Sequence, residues 1–148
     1  MRAALVLLAL LATAGPVAAD LTPPPPRSPV PSAPAEQEYR RGLAATRAKE
    51  WSAAAAAFGR AVELNPAYAE AWNGLGYARR HLGRYPESIQ AYAEALRLRP
   101  EYPEALEYLG EAYVKMGRLD DARRVLERLK PLDAGLARDL AEAIARGR

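Results

Sequence analysis

Apolar residues recur along this chain at i, i+3, i+4 and i+7, and they do so in pairs of helix-length segments. In the middle of the chain Trp72, Leu75, Gly76, Arg79 and Leu82 share one face of a first segment. Ser88, Ile89, Tyr92, Ala95 and Leu96 share one face of the second. Gly83 breaks the chain between them, and Pro86 suits a first helical turn, where a missing N–H costs nothing. Asn65-Pro66 and Arg99-Pro100 end second segments, because the residue before a proline avoids the helical region. The pattern predicts helices over about 36–48, 52–64, 69–82, 86–98, 103–116, 120–130 and 134–146. Asp120 is the expected cap of the sixth and Asp133 of the seventh.

The pairs repeat. Displaced by 34 residues, Gly42, Gly76 and Gly110 align, as do Trp51, Tyr85 and Leu119. Ala54, Ser88 and Ala122 keep a small side chain, and Phe58, Tyr92 and Leu126 a bulky one four residues on. Ala61, Ala95 and Leu129 follow, then Leu64, Leu98 and Leu132, with Pro66 and Pro100 closing two copies. A period of this size marks stacked supersecondary units, none of which buries its apolar face alone. Gly76 and Ser88 are small where two helix axes must approach, so that Tyr92 can fill the gap. The last segment, with Leu136, Leu140 and Ile144 on one face, suits a solubilising cap.

Those positions resemble the tetratricopeptide repeat over 35–134, in three copies near 35–68, 69–102 and 103–134, with a capping helix at 134–146. The middle copy carries the family's residues at Trp72, Leu75-Gly76, Ser88, Tyr92, Ala95 and Pro100. It departs at Arg79, where a Tyr is usual and where the third copy has Tyr113. The first copy has Glu38 and Arg41 in place of Trp and Leu, and in the third Pro131 falls early. The resemblance implies an all-α superhelix, a tetratricopeptide solenoid of antiparallel helix pairs, whose first helices line a concave face. On that face it implies Tyr39, Leu43 and Arg47, then Asn73, Tyr77, Arg80 and His81, then Glu107, Glu111 and Lys115. Tyr77 and Arg80, three residues apart, are the expected anchors for an extended peptide. The family's chaperone-tail binders use Lys and Asn where this chain has Tyr39, Leu43 and Gly74, so a heat-shock partner is not implied.

Ahead of the repeats, 1–19 has the form of a secretory signal peptide. Arg2 precedes an apolar run from Ala3 to Ala12, and Val17-Ala18-Ala19 offers small residues to a peptidase. The alternative, an uncleaved anchor, needs about 20 apolar residues, and Gly15-Pro16 interrupts this run. The expected mature chain starts at Asp20, exported to the periplasm or secreted by a bacterium, with no stable membrane anchor. Residues 20–34 read as a proline-rich disordered linker, with Pro23-Pro24-Pro25-Pro26 followed by Pro29, Pro31 and Pro34.

Composition narrows the chemistry. With no cysteine and His81 as the sole histidine, neither a metal site nor a nucleophile–base set can be assembled, so no cofactor and no catalysis are expected. A net charge of +3, with acids and bases interspersed, is too mild for a nucleic-acid partner. The expected function is a non-catalytic protein-interaction module that binds a peptide or partner protein. The alternative is a self-associating structural protein of the cell envelope, a homo-oligomer.

Overall fold

The structure is a computed structural model that describes residues 32–147. The expected leader and residues 20–31 of the proline-rich stretch lie outside the described residues. Seven helices follow one another: α1 (Ala33–Arg47), α2 (Trp51–Leu64), α3 (Ala69–His81), α4 (Tyr85–Leu98), α5 (Pro103–Lys115), α6 (Leu119–Leu129) and α7 (Ala134–Arg146). The main difference from expectation is at the start. α1 begins at Ala33, inside the stretch read as linker, because Pro34 sits in a first turn where proline fits well.

One turn closes each helix pair in the same way. The N–H groups of Glu50, Arg84 and Arg118 donate to the carbonyls of Ala45, Arg79 and Tyr113, each across five residues, at 2.9 Å. The residue before each donor, Lys49, Gly83 or Gly117, has a positive φ of 58°, 73° or 69°. This is the left-handed closure that glycine enters freely and a side chain enters at a cost of about 1–2 kcal/mol. Lys49→Gly is therefore expected to raise the melting temperature by a few degrees, the gain being about 0.5–1 kcal/mol after glycine's extra freedom in the unfolded chain is subtracted. A thermal melt checks it; an unchanged or lower midpoint contradicts the strain assigned to Lys49.

α2 and α4 end in extended residues, Asn65 and Arg99, each ahead of a proline. α7 is capped as expected: the Asp133 carboxylate accepts from Leu136 N at 2.9 Å. Asp120 does not cap α6. That helix starts one residue earlier, at Leu119, so Asp120 stands in its first turn and pairs with Arg123 at 2.5 Å.

α1 packs on α3 and α3 on α5, whereas α2, α4 and α6 do not touch one another among the described residues. The array therefore curves toward its first helices. Two core clusters result, one around Phe58 and one around Tyr92, and Trp72 packs against both. Trp72 also donates its indole N–H to the Pro66 carbonyl at 2.9 Å, which ties the second repeat to the end of the first.

The glycines at the repeat contacts mark where helices approach. A Cβ on Gly42 or Gly74 meets the Phe58 ring at 2.6 Å or 2.7 Å, so one ring fills two notches. A Cβ on Gly76 meets Tyr92 at 2.6 Å. In the third repeat the side chain over Gly110 is Leu140 of α7, at 2.5 Å, not Leu126. The capping helix thus fills the notch of the last repeat, which is why α7 packs on α5 as well as α6.

Departures in the first repeat have a physical counterpart. Glu38, at the Trp position, is buried and pairs with Arg41 at 2.5 Å and with Arg60 of α2 at 2.9 Å. The two guanidiniums hold its carboxyl below the usual carboxylate range. An ionic triad replaces an apolar contact at the one place where no described helix packs from the preceding side.

Candidate functional site

The first helices run parallel, so equivalent positions form rows across the inner face. Tyr39, Leu43, Asn73 and Tyr77, all expected there, line one groove of about 230 Å³. Four residues that sequence reasoning did not assign to the site complete its polar and aromatic walls: Thr46, Glu70, Tyr102 and Tyr108. Gly74 forms part of the floor, beside the Phe58 ring that its missing side chain admits. Tyr108 occupies the row of Gly74 one repeat on, so the 34-residue register itself could have found it. Tyr102 precedes α5 and lies off any helical wheel.

Aromatic contacts on this face fall into two groups, one around Tyr39 and Phe58 and one around Trp51, Tyr77, His81 and Tyr108. Tyr77 lies 5.1 Å from Tyr108 and 4.6 Å from His81, centroid to centroid, and Tyr39 lies 5.7 Å from Phe58. His81, exposed at the end of α3, stacks on Trp51 at 4.0 Å with the rings 10° apart. Desolvation and the neighbouring Arg80 lower its pKa, so the imidazole is neutral at pH 7 and acts as an aromatic plate.

The polar groups of the groove are unevenly satisfied. Asn73 Nδ2 makes only a long contact of 3.4 Å to the Tyr102 hydroxyl, and Asn73 Oδ1 is buried with no partner among the described residues. An amide buried beside a groove in this state offers hydrogen bonds to whatever enters. Burial pushes the Tyr102 phenol up to about 12, so it remains a neutral hydroxyl at physiological pH. Glu70 pairs with Arg99, whose guanidinium lies 4.5 Å above the Tyr102 ring.

The expected charges are distributed differently. Arg80 is not a free fork: it pairs with Glu111 of α5, and its guanidinium lies 5.3 Å from the Tyr77 ring centre and 5.4 Å from that of Tyr108. Its side chain is only 16% exposed, so Arg80 and Glu111 link the second repeat to the third beside the groove. Arg47 and Lys115 are exposed at the far ends of α1 and α5, away from the groove lining.

Glu107 sits apart, on the third-repeat side. Burial pushes its carboxyl up to about 7, and the negative charges of Glu111, Asp139 and Glu104 push the same way against the pull of Arg80. A carboxyl whose folded pKa exceeds its unfolded value binds more protons folded than unfolded, so its contribution to stability is lost as pH rises through about 7. Glu107→Gln is therefore expected to melt like the parent at pH 5 and above it at pH 8. An equal difference at both pH values contradicts the shift.

Among the described residues no group of three or more His, Asp or Glu side chains is arranged to hold a metal ion, and no helix is long and apolar enough to cross a membrane.

A curved stack of helix pairs with a first-helix groove defines a helical repeat protein, and comparison with known proteins specifies which kind. The sequence matches a family profile described as TPR repeat over residues 76–117 and one described as Tetratricopeptide repeat over residues 57–90. The chain therefore contains tetratricopeptide repeats, matched over residues 57–117, within an all-α superhelix of that type. Its fold is similar to the TPR2B domain of yeast Sti1 in complex with an Hsp70 peptide, with a TM-score of 0.73 and 20% identity, covering 78% of this chain and 97% of that one. It is also similar to the second TPR domain of human RPAP3 in complex with an HSP70 peptide, with a TM-score of 0.73 and 22% identity, covering 78% of this chain and 98% of that one. The type III secretion chaperone SycD of Yersinia enterocolitica, in complex with a peptide of the translocator YopD, gives a TM-score of 0.70 at 19% identity, covering 76% of this chain and 90% of that one. No curated protein matches the chain in sequence.

Proposed function

We propose that this chain is an exported, non-catalytic interaction module whose inner groove holds an extended segment of a partner protein. The observation that carries the reading is the groove itself: Tyr39, Tyr77, Tyr102 and Tyr108 around a buried, underused Asn73 amide. Tyrosines supply large contact area for little lost side-chain entropy, and an amide can bond main-chain groups whatever the sequence of the segment. Peptides bound by the structurally similar Sti1, RPAP3 and SycD domains support the mode of binding. They do not supply the partner, because Tyr39, Leu43 and Gly74 stand where the family's chaperone-tail clamp has Lys and Asn.

Crosslinking in the producing cell tests both halves of the reading. A photoreactive side chain in place of Tyr77 is expected to trap one discrete partner, whereas the same group at Arg97, exposed on α4, traps none. Tyr77→Ala with Tyr102→Ala should weaken that complex by about 2 kcal/mol or more, roughly thirtyfold. In the crosslinked complex this chain should begin at Asp20. Trapping from Arg97 alone, or a retained Met1 segment in the cytoplasm, overturns the corresponding half.

A further inference from the structure

We propose that the tyrosine groove is a site for a proline-rich segment in polyproline II form, and that its resident occupant is this chain's own residues Leu21–Pro31. The inference rests on reading the groove as a peptide site and names what fills it before any partner does. Grooves walled by aromatic rings dock polyproline segments well, because such a segment is already extended and loses little freedom on binding. This groove has four tyrosines and Phe58 along it, and its polar groups are an amide and neutral phenols, which suit a ligand of exposed carbonyls.

The chain places the complementary sequence beside it. Pro23-Pro24-Pro25-Pro26, Pro29 and Pro31 lie immediately before α1, the helix that contributes Tyr39, Leu43 and Thr46 to the groove. Ser32, the last residue before α1, has φ −59° and ψ 147°, close to polyproline II values. Parallel first helices put the start of α1 on the same edge as Glu70 and Tyr102. From Ser32 to the level of Tyr39 is about 10 Å along the helix axis. The residues from Asp20 to Pro31 span roughly 37 Å when extended as polyproline, more than enough to turn back along the groove. Arg27 is the one cation in that stretch. The groove edge it would meet carries Glu70, already paired with Arg99, and, one repeat on, Glu104, which has no ion pair among the described residues and can take Arg27. Charge and shape therefore agree on the same occupant.

Tethering sets the size of the effect. A short linker holds the segment at an effective concentration of about 1 mM, so a segment with an intrinsic Kd of about 0.1 mM fills the groove roughly nine-tenths of the time. An outside peptide then binds about tenfold more weakly than to an empty groove.

The test uses the chain from Asp20 to its end and a labelled peptide of the sequence Leu21–Pro31. In one form Pro23, Pro24, Pro25, Pro26, Pro29 and Pro31 are all replaced by Ser, which leaves the repeats untouched. The labelled peptide is expected to bind this form about tenfold more tightly than the parent, by fluorescence anisotropy. Adding Tyr77→Ala to the same form should abolish binding; because that variant can disturb packing, Tyr102→Ala, in the turn before α5, is measured beside it with its helicity. Equal affinity for parent and serine form overturns the resident occupant, and so does no binding to the serine form. Binding that survives both tyrosine changes at full helicity places the segment elsewhere and also overturns it. A parent that dimerises in sedimentation, with dimerisation lost in the serine form, shows exchange between copies and rules out occupancy within one chain. These outcomes are independent of crosslinking to a partner: a groove that takes its own segment but traps no other protein sinks the proposed function and leaves this inference standing.

Discussion

Gly76→Leu is expected to lower the melting temperature of the whole array by roughly 5–20 °C, the equivalent of about 1–3 kcal/mol. A Cβ at this position stands 2.6 Å from Tyr92 Cε1 and 2.7 Å from Cδ1, closer than carbon atoms approach. Tyr92 cannot swing aside, because it is fully buried at the centre of the larger core cluster. The two helices of the middle repeat must separate instead. Each repeat is held by its neighbours, so loosening the middle one removes support from both ends. The contrast is Gly59, in α2, where a Cβ meets nothing within 4 Å. Gly59→Ala should stabilise by about 0.5–1 kcal/mol through helix propensity alone. Circular dichroism melts of the two variants decide the matter. A Gly76→Leu chain that melts with the parent contradicts the close approach.

Much of this fold is legible in the sequence because a repeat states its rules several times. The notch at Gly76 is readable since Gly42 and Gly110 restate it, and the turn at Gly83 since Gly117 restates it. Legibility fails where a copy breaks the rule. Lys49 adopts the left-handed turn despite having a side chain, at the place where Gly83 and Gly117 stand in the other two repeats. Leu140 takes the place assigned to Leu126 because α7 packs directly on α5 and brings its own side chain over Gly110. Asp120 looked like a cap because of its type; one residue of shift in the helix start turned it into a first-turn acid.

The site was legible as a face and less so as a set of roles. The resemblance to the tetratricopeptide repeat implies Tyr39, Leu43, Asn73 and Tyr77 on one face, and they do line one groove. It says nothing of Tyr102, which approaches from the turn before α5, or of which charges pair across helices. Glu70 and Arg99, or Arg80 and Glu111, come from different helices, and their distance in space follows from stacking that no single wheel shows. Hence a residue read as an open fork is already engaged.

That difference can be measured. Arg80→Ala is expected to destabilise the array by about 2–3 kcal/mol, less than the 3–5 kcal/mol of a fully buried pair because Glu111 keeps 32% of its side chain exposed. Three losses combine: the Glu111 ion pair, the contact with the Tyr77 ring and the contact with the Tyr108 ring. All three cross between or lie beside the second and third repeats, so the loss falls on the junction and not on either repeat alone. Glu111→Ala leaves Arg80 unpaired but still between its tyrosines, and should cost less. The double variant should cost less than the two single changes added together, since no charge is then left without its partner. Thermal melts of the four proteins give this cycle directly. If Arg80→Ala melts with the parent and the cycle shows no coupling, Arg80 is free of its neighbours. It then returns to the role that its place on α3 first implied, an anchor for a partner in the groove.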